Sequence, residues 1–220
     1  VDDASTDTSF EGVRQLPAAG YAVIDLQQAQ PPVTPRTYWQ WDAATVAPVD
    51  VERLATEVRT LFLDAVKIRM RSDVPVGILL SGGVDSSAIA AAAHTLVPAE
   101  ASLNLLGAVS DDPRFDESPH IDRMAAYLRR PVSKVRLDLH PGNVLPLLER
   151  ATWAHDEPIP SLSHVAHLLL MERARDLGVT VVLSGQGADE LLCGYKKYLG
   201  FYVQWLLRRR APLRAVTALA

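Results

Sequence analysis

Residues 81–87 read Ser-Gly-Gly-Val-Asp-Ser-Ser and directly follow the apolar run Val76-Gly77-Ile78-Leu79-Leu80. A short apolar run marks a buried strand, and the Ala-rich stretch from Ala88 to Ala93 marks a helix just beyond it. Strand, glycine turn, hydroxyls and helix N-terminus together aim backbone N–H groups at an anion. Gly82 and Gly83 let the backbone turn and approach an oxygen cluster with no Cβ in the way. Ser81, Ser86 and Ser87 add hydroxyl donors. Asp85 is the odd member, because a carboxylate repels phosphate unless a cation lies between them. The loop therefore asks for Mg²⁺ together with a nucleotide. It is not a Walker A loop, since the chain has no G-x-x-x-x-G-K-[ST] pattern. Gly-Gly alone would read as an ordinary turn; the whole string after a buried strand argues against that.

A second constellation has the same design. Residues 184–195 read Ser-Gly-Gln-Gly-Ala-Asp-Glu-Leu-Leu-Cys-Gly-Tyr, again directly after an apolar run, Val179-Thr180-Val181-Val182-Leu183. In an open parallel sheet such loops lie at the carboxyl edge of the strands, where ligands bind. Asp85 and Asp189 each sit in one of these loops, which makes them the choice for Mg²⁺ ligands, a cation that prefers carboxylate with phosphate oxygens. Glu190 beside Asp189 reads better as helix N-terminal charge. Between the two loops stand Phe115-Asp116-Glu117-Ser118-Pro119 and His155-Asp156-Glu157-Pro158. His164 and His167 share a helix face, but no carboxylate or Cys is spaced to join them, so a surface or core role is expected for both.

The elements that must hold these loops are visible in the periodicity. Val51, Leu54, Ala55, Val58, Leu61, Phe62, Ala65 and Val66 keep helical spacing, so the pattern predicts a helix over 50–71, with Asp50 as its N-cap. Strand 76–80, helix 85–97, strand 103–109 and helix 118–129 follow, with Pro119 suited to a first helical turn. Strand 132–137, helices near 142–154 and 163–177, and strand 179–183 complete the alternation. Residues 196–208 read as a helix ending near Pro212. Pro31, Pro32 and Pro35 predict a surface turn over 27–36, and Pro48 marks the next break. Alternating helices and strands imply an α/β fold, a parallel sheet with helices on both faces.

Composition sets outer bounds. The chain has 220 residues, 48% of them hydrophobic and 22% charged, which is normal for one principal globular domain with an appendage. A single cysteine excludes a disulfide framework. No apolar stretch reaches the roughly 18 residues of a membrane span, so no membrane partner is expected. The N-terminus is acidic and polar, unlike a signal peptide, and a cytoplasmic protein is expected. A net charge of −4 and a pI near 5.9 argue against a nucleic-acid partner. Arg208-Arg209-Arg210 reads as the solvated end of a helix.

The first loop resembles the pyrophosphate loop of ATP pyrophosphatases, enzymes that split ATP between the α and β phosphates. With the second loop and the two Asp-Glu segments in this order, residues 75–198 resemble the synthetase domain of glutamine-hydrolysing asparagine synthetase. The resemblance implies an adenine-nucleotide alpha-hydrolase-like fold of the PP-loop type, with ATP and Mg²⁺ as its cofactors. It implies that Ser81, Gly82, Gly83, Asp85 and Ser86 hold the pyrophosphate end of ATP. It sets Leu80 and Ala108 against the adenine, and Ser184 and Gly185 along the nucleotide. It makes Gln186 and Asp189 the catalytic candidates. Phe10–Pro17, Gly20–Asp25 and Tyr38-Trp39 look like the last strands of that family's glutaminase domain. The expected division is therefore a glutaminase-type remnant over 1–42 and an ATP pyrophosphatase domain over 43–220 that is truncated at its C-terminus. The family's glutaminase nucleophile is an N-terminal Cys, whereas this chain begins with Val1. Its only cysteine, Cys193, stands where the family usually has Gly and reads as a small, partly buried packing residue.

By this resemblance the chain forms an amide through an acyl-adenylate, releasing AMP and pyrophosphate. Its partners are a small carboxylic acid, aspartate or a relative, and ammonia or an amine donor. His155-Asp156-Glu157 either borders that acid or forms a turn with a helix cap. A homodimer is left open for the full-length protein. Gln186 is the departure that matters, because asparagine synthetases commonly carry an acidic residue there and an amide cannot act as a base. Two alternatives stand beside the main expectation. One is a β-lactam or macrolactam synthetase, or an amidotransferase on another acid. The other is a non-catalytic nucleotide-binding remnant.

Overall fold

The computed structural model describes residues 5–29, 32–40, 50–98 and 103–209. Among the described residues ahead of the first helix, regular structure is sparse. β1 (Gly20–Tyr21) and β2 (Arg36–Thr37) pair antiparallel, and Asp7 bridges to Arg14. Phe10, Val13, Leu16, Val23 and Leu26 are exposed along this stretch. The break expected at Pro48 and the domain boundary expected at 42/43 lie outside the described residues.

Helix α1 (Val51–Arg69) begins where the sequence supplies a cap. Asp50 Oδ1 accepts from the backbone N–H of Glu52 at 3.1 Å and of Arg53 at 3.2 Å, satisfying donors that a helix start otherwise leaves free. Then come β3 (Val76–Leu79), α2 (Val84–Leu96), β4 (Asn104–Ser110), α3 (Ser118–Leu128), β5 (Val132–Leu137), α4 (Pro141–His155), α5 (Ser163–Asp176), β6 (Val181–Leu183), α6 (Ala188–Leu192) and α7 (Lys196–Arg208). The four longer-range strands form one parallel sheet in the order β5-β4-β3-β6. Ile78 pairs with Leu105 on one side of β3 and with Leu183 on the other.

The two faces of this sheet carry separate cores, as period-2 alternation requires. Ile78, Leu80 and Leu105 pack with Val66 of α1, Ala90 and Ala93 of α2, and Ile121 and Leu128 of α3. The next residue, Leu106, turns to the opposite face, against Leu170 and Ala174 of α5 and Val179. Each such Val, Leu or Ile side chain, removed from water, contributes about 1.5–3 kcal/mol. Both faces are covered, which is why these strands read as continuous apolar runs rather than as alternating ones.

Two boundaries differ from the periodicity for local reasons. The last sheet strand starts at Val181 rather than Val179, because the Val179 amide donates to Ala174 O at 2.8 Å and so closes α5 instead of joining the ladder. α6 was anticipated only as a helix start at Asp189 and Glu190, not in its extent. It is five residues long and is bounded by Gly187 at φ +92 and Cys193 at φ +57, so left-handed residues start and stop it.

Candidate functional site

The strand order reverses at β3. The chain runs outward through β4 and β5, then returns to place β6 on the other flank of β3. This is a topological switch point, where the loops leaving two neighbouring strands diverge and open a crevice at the carboxyl edge.

The loop after β3 is held from behind. Leu80 extends the ladder by donating to Leu106 O at 2.7 Å. Gly82 then turns through φ +79 against the start of α3, where a Cβ would lie 2.8 Å from the His120 carbonyl carbon and 2.9 Å from the Ile121 nitrogen. Only glycine meets both demands. The serines form a small network. The Ser81 amide donates to Ser86 Oγ at 3.2 Å, the two hydroxyls lie 2.9 Å apart, and Ser86 Oγ donates to Gly83 O at 3.2 Å. Gly83 is the N-cap of α2 and provides no side-chain acceptor. The first amides of α2 are thus left to find a partner elsewhere.

The loop after β6 comes directly against this one. A Cβ at Gly185 would lie 3.2 Å from Asp85 Cβ and 3.2 Å from the Ser86 nitrogen. The Gln186 amide donates to Ser184 Oγ at 3.4 Å, and the Gly194 amide donates to Asp189 O at 3.0 Å, folding the end of α6 back on its start. Tyr195 donates its hydroxyl to Glu190 Oε1 at 2.6 Å. This bond raises the Tyr195 hydroxyl to about 12 and holds Glu190 below its ordinary range.

A cleft of about 740 Å³ opens between the loops and α5. Leu80, Ser81, Asp85, Ser86, Ala108, Ser184, Gly185, Gln186 and Asp189 all line it. Gly82 and Gly83 do not; they form the back of the loop rather than its inner surface. The cleft has a second wall, of which the sequence suggested only His155. His155, at the end of α4, and His164 and His167, on α5, line it together with Ser163. His164 and His167, expected at the surface or in the core, lie at the surface of this cleft, His167 exposed and His164 partly buried. Both belong to the cleft, brought there by the α4–α5 turn rather than by any spacing between neighbours in sequence.

Burial first, and the nearby His155 and His164 next, hold His167 below its ordinary range. Burial also raises Glu117, another lining residue. Asp156 and Glu157 are exposed and do not line the cleft. Asp116 works behind it, where Oδ1 accepts from the Ser110 amide at 3.3 Å, the Ser118 amide at 3.1 Å and the Ser118 hydroxyl at 2.6 Å. It pins the end of β4 to the start of α3. Cys193 is exposed, not partly buried as expected. Its left-handed backbone explains why glycine suits that position.

These residues fit a polyphosphate. The uncapped start of α2, the serine hydroxyls and a glycine back free of Cβ atoms form a cradle for oxygen-rich anions. Among the described residues no group of three or more His, Cys, Asp or Glu is arranged to hold a metal by itself. Asp85 and Asp189 on one cleft suit a cation completed by phosphate oxygens, the usual manner of Mg²⁺. Among the described residues no helix is long and apolar enough to cross a membrane.

A parallel sheet with a switch-point cleft, two glycine–hydroxyl–carboxylate loops and helices on both faces defines an α/β domain of the PP-loop type. The asparagine synthase family profile matches residues 57–219, and the chain belongs to that family. It is 34% identical over 201 residues to the putative asparagine synthetase (glutamine-hydrolyzing) 2 of Methanocaldococcus jannaschii, covering 91% of this chain and 37% of that one. It is 36% identical over 169 residues to asparagine synthetase (glutamine-hydrolyzing) 1 of Bacillus subtilis, covering 76% and 25% respectively. It is also 32% identical over 205 residues to the amidase chyE of Penicillium rubens, covering 87% and 30%. The chain spans 25% to 37% of the lengths of these curated relatives.

Proposed function

We propose that this domain binds ATP across the β3–β6 switch point and uses it to form an amide from a carboxylic acid. The single observation that carries the proposal is the meeting of the two glycine loops, with Gly185 packed on Asp85 and Ser86. The Ser81–Ser86 loop and the first amides of α2 take the pyrophosphate end, and Leu80, Ala108, Ser184 and Gly185 flank the nucleoside end. Mg²⁺, when bound by Asp85 and Asp189, supplies charge neutralisation on the phosphate oxygens.

The chemistry follows from what an amide synthesis needs. A carboxylate oxygen is a poor leaving group. It becomes a good one when the carboxylate attacks the α-phosphorus of ATP, forming an acyl-adenylate and expelling pyrophosphate. An amine then adds to the acyl carbon, loses a proton and displaces AMP. The protein's part is to position the reactants and stabilise developing charge. Gln186, exposed at the cleft, orients the incoming amine by hydrogen bonds but cannot take its proton.

That last property favours a second reading within the same mechanism, amidation of an acid other than aspartate. A relative named as an amidase shares the domain at 32% identity, which is in keeping with more than one acceptor. We further read residues 1–42 as the tail of a glutaminase-type domain. The exposed apolar side chains along 5–40 support this, since strand segments bury such residues against partners.

Calorimetric titration with ATP and Mg²⁺, followed by acid-dependent ATP–pyrophosphate exchange, tests the proposal. Saturable Mg²⁺-dependent binding and exchange are expected. Absence of ATP binding by the full chain would overturn it.

A further inference from the structure

We infer that the return of the chain over 193–195 is a positioning device for the Asp189 carboxylate. Gly194, having no side chain, leaves room for one carboxylate oxygen, and Tyr195 ties the return in place. The inference rests on the reading of Asp85 and Asp189 as the pair that holds Mg²⁺ beside ATP.

The Gly194 amide donates to Asp189 O at 3.0 Å, which brings the chain back onto the residue it has just passed. A Cβ on Gly194 would collide with Asp189 Oδ1, and it would lie 2.9 Å from the carboxyl carbon and 3.3 Å from Asp189 Cα. The carboxylate thus fills the place of the missing side chain. Gly194 is not among the residues with positive φ, so its backbone conformation gives no reason for a glycine. The contact with Asp189 does. The obstruction is the end of a short side chain rather than backbone, so an alanine would fit by turning the carboxylate aside to another rotamer. Neither carboxyl oxygen of Asp189 accepts a hydrogen bond among the described residues, although the residue is half-buried on the cleft. Its direction is set by room, and Gly194 provides the room.

A second bond spans the same return, one residue further along on each side. Tyr195 donates its hydroxyl to Glu190 Oε1 at 2.6 Å, and a hydrogen bond to an ionised carboxylate is among the stronger ones. The Tyr195 ring is held in turn from α7, with Lys197 Nζ 4.9 Å and the Tyr198 ring 5.8 Å from its centroid. This bond keeps Gly194 against Asp189 while the chain leaves for α7. Without it the return can lift, and the carboxylate gains a second direction. The cation makes that direction matter. Mg²⁺ demands near-ideal octahedral geometry, whereas Ca²⁺ accepts a looser arrangement. Groups that touch a metal ligand and not the metal are the usual means of holding such a ligand in one pose.

The test uses the full chain and ATP, titrated calorimetrically without metal, with Mg²⁺ and with Ca²⁺. Gly194→Ala should lower the Mg²⁺-dependent affinity about tenfold or more, the usual effect of disturbing a group that orients a metal ligand. It should lower the Ca²⁺-dependent affinity less and leave binding without metal in place. Tyr195→Phe removes only the hydroxyl and should lose about two- to tenfold, the worth of one hydrogen bond. Glu190→Gln keeps an acceptor and should lose less. In an Asp189→Ala background, where nothing is left to collide, Gly194→Ala should cost nothing further. If Asp189→Ala removes the gain from Mg²⁺ while Gly194→Ala leaves it intact, this inference alone falls. An equal loss with and without metal, or a further loss in the Asp189→Ala background, would assign the return to the fold or the nucleotide and overturn the inference. ATP binding that Asp189→Ala does not make less dependent on Mg²⁺ takes down the reading of the metal pair as well.

Discussion

Gly185 and Asp85, which belong to loops leaving neighbouring strands, are packed so closely that a Cβ on Gly185 would lie 3.2 Å from that of Asp85. Equally near is the Ser86 nitrogen, and it cannot retreat without moving the first turn of α2. Gly185→Ala should therefore force the loops apart. Overpacking of this kind costs about 1–3 kcal/mol. Calorimetry should show ATP affinity reduced by about tenfold or more, and thermal melting should show a smaller loss of stability. An alanine variant with unchanged affinity would mean that the two loops do not act as one site.

Gly82→Ala should be worse for the fold itself. The residue has φ +79, and a side chain there would run into the backbone of α3. Backbone strain and the collision together cost on the order of 2–4 kcal/mol. Urea unfolding should register it as a lower midpoint with an unchanged slope.

Asp116 gives a pH prediction whose sign can be worked out. The Ser118 hydroxyl first, and the Ser118 amide next, hold its carboxyl below the ordinary carboxylate range. A depressed folded value means stability that is present above the ordinary value of about 3.9 and lost as pH falls through the folded one. Unfolding midpoints measured across acidic pH should decline over that window. In Asp116→Asn the decline should be shallower, because the asparagine has no proton to gain.

Asp85→Asn and Asp189→Asn should each lower the Mg²⁺-dependent part of ATP binding while sparing most of the Mg²⁺-independent part. Two carboxylates beside a phosphate cradle make sense only with a cation between them. Titrations with and without Mg²⁺ separate the two parts. Full Mg²⁺ dependence in both variants would remove the assignment.

Gln186→Ala should slow amide release while preserving acid-dependent ATP–pyrophosphate exchange, because the pyrophosphate cradle does not include it. Loss of one placed hydrogen bond should cost about 1–3 kcal/mol, roughly ten- to a hundredfold in that step. Gln186→Glu should be tolerated and should use free ammonia better, by restoring a base. Collapse of exchange with a normal amide step would make Gln186 a nucleotide ligand instead.

How much of this was legible in the sequence depended on the range of the signal. The apolar runs ending at Leu80 and Leu183 are local, so the strands and the loops that follow them were visible at once. Asp50 as a cap needed only its neighbours. The extent of α6 escaped, though Glu190 read as charge at a helix start, because five residues between two left-handed positions leave too short a pattern for periodicity, and Cys193 in place of glycine hid the stop. The place of His164 and His167 on the cleft escaped for a different reason. His155 and His167 are neighbours only after α4 and α5 fold against each other, and no spacing along the chain announces that turn.

The reversal of strand order at β3 also fixes when the site comes into being. Most of the described chain lies between Ser81 and Gly185, and β6 is the last strand of the sheet to be synthesised. A nascent chain that has made β3, β4 and β5 holds a complete first loop and no cleft. Closing it requires a contact of large sequence separation, which is slow because the chain entropy is lost before the contact forms. A ligand that bridges both loops binds only the closed form and so stabilises the late-docking strand. A nucleotide bound there as proposed would then act as a folding partner, holding β6 in register.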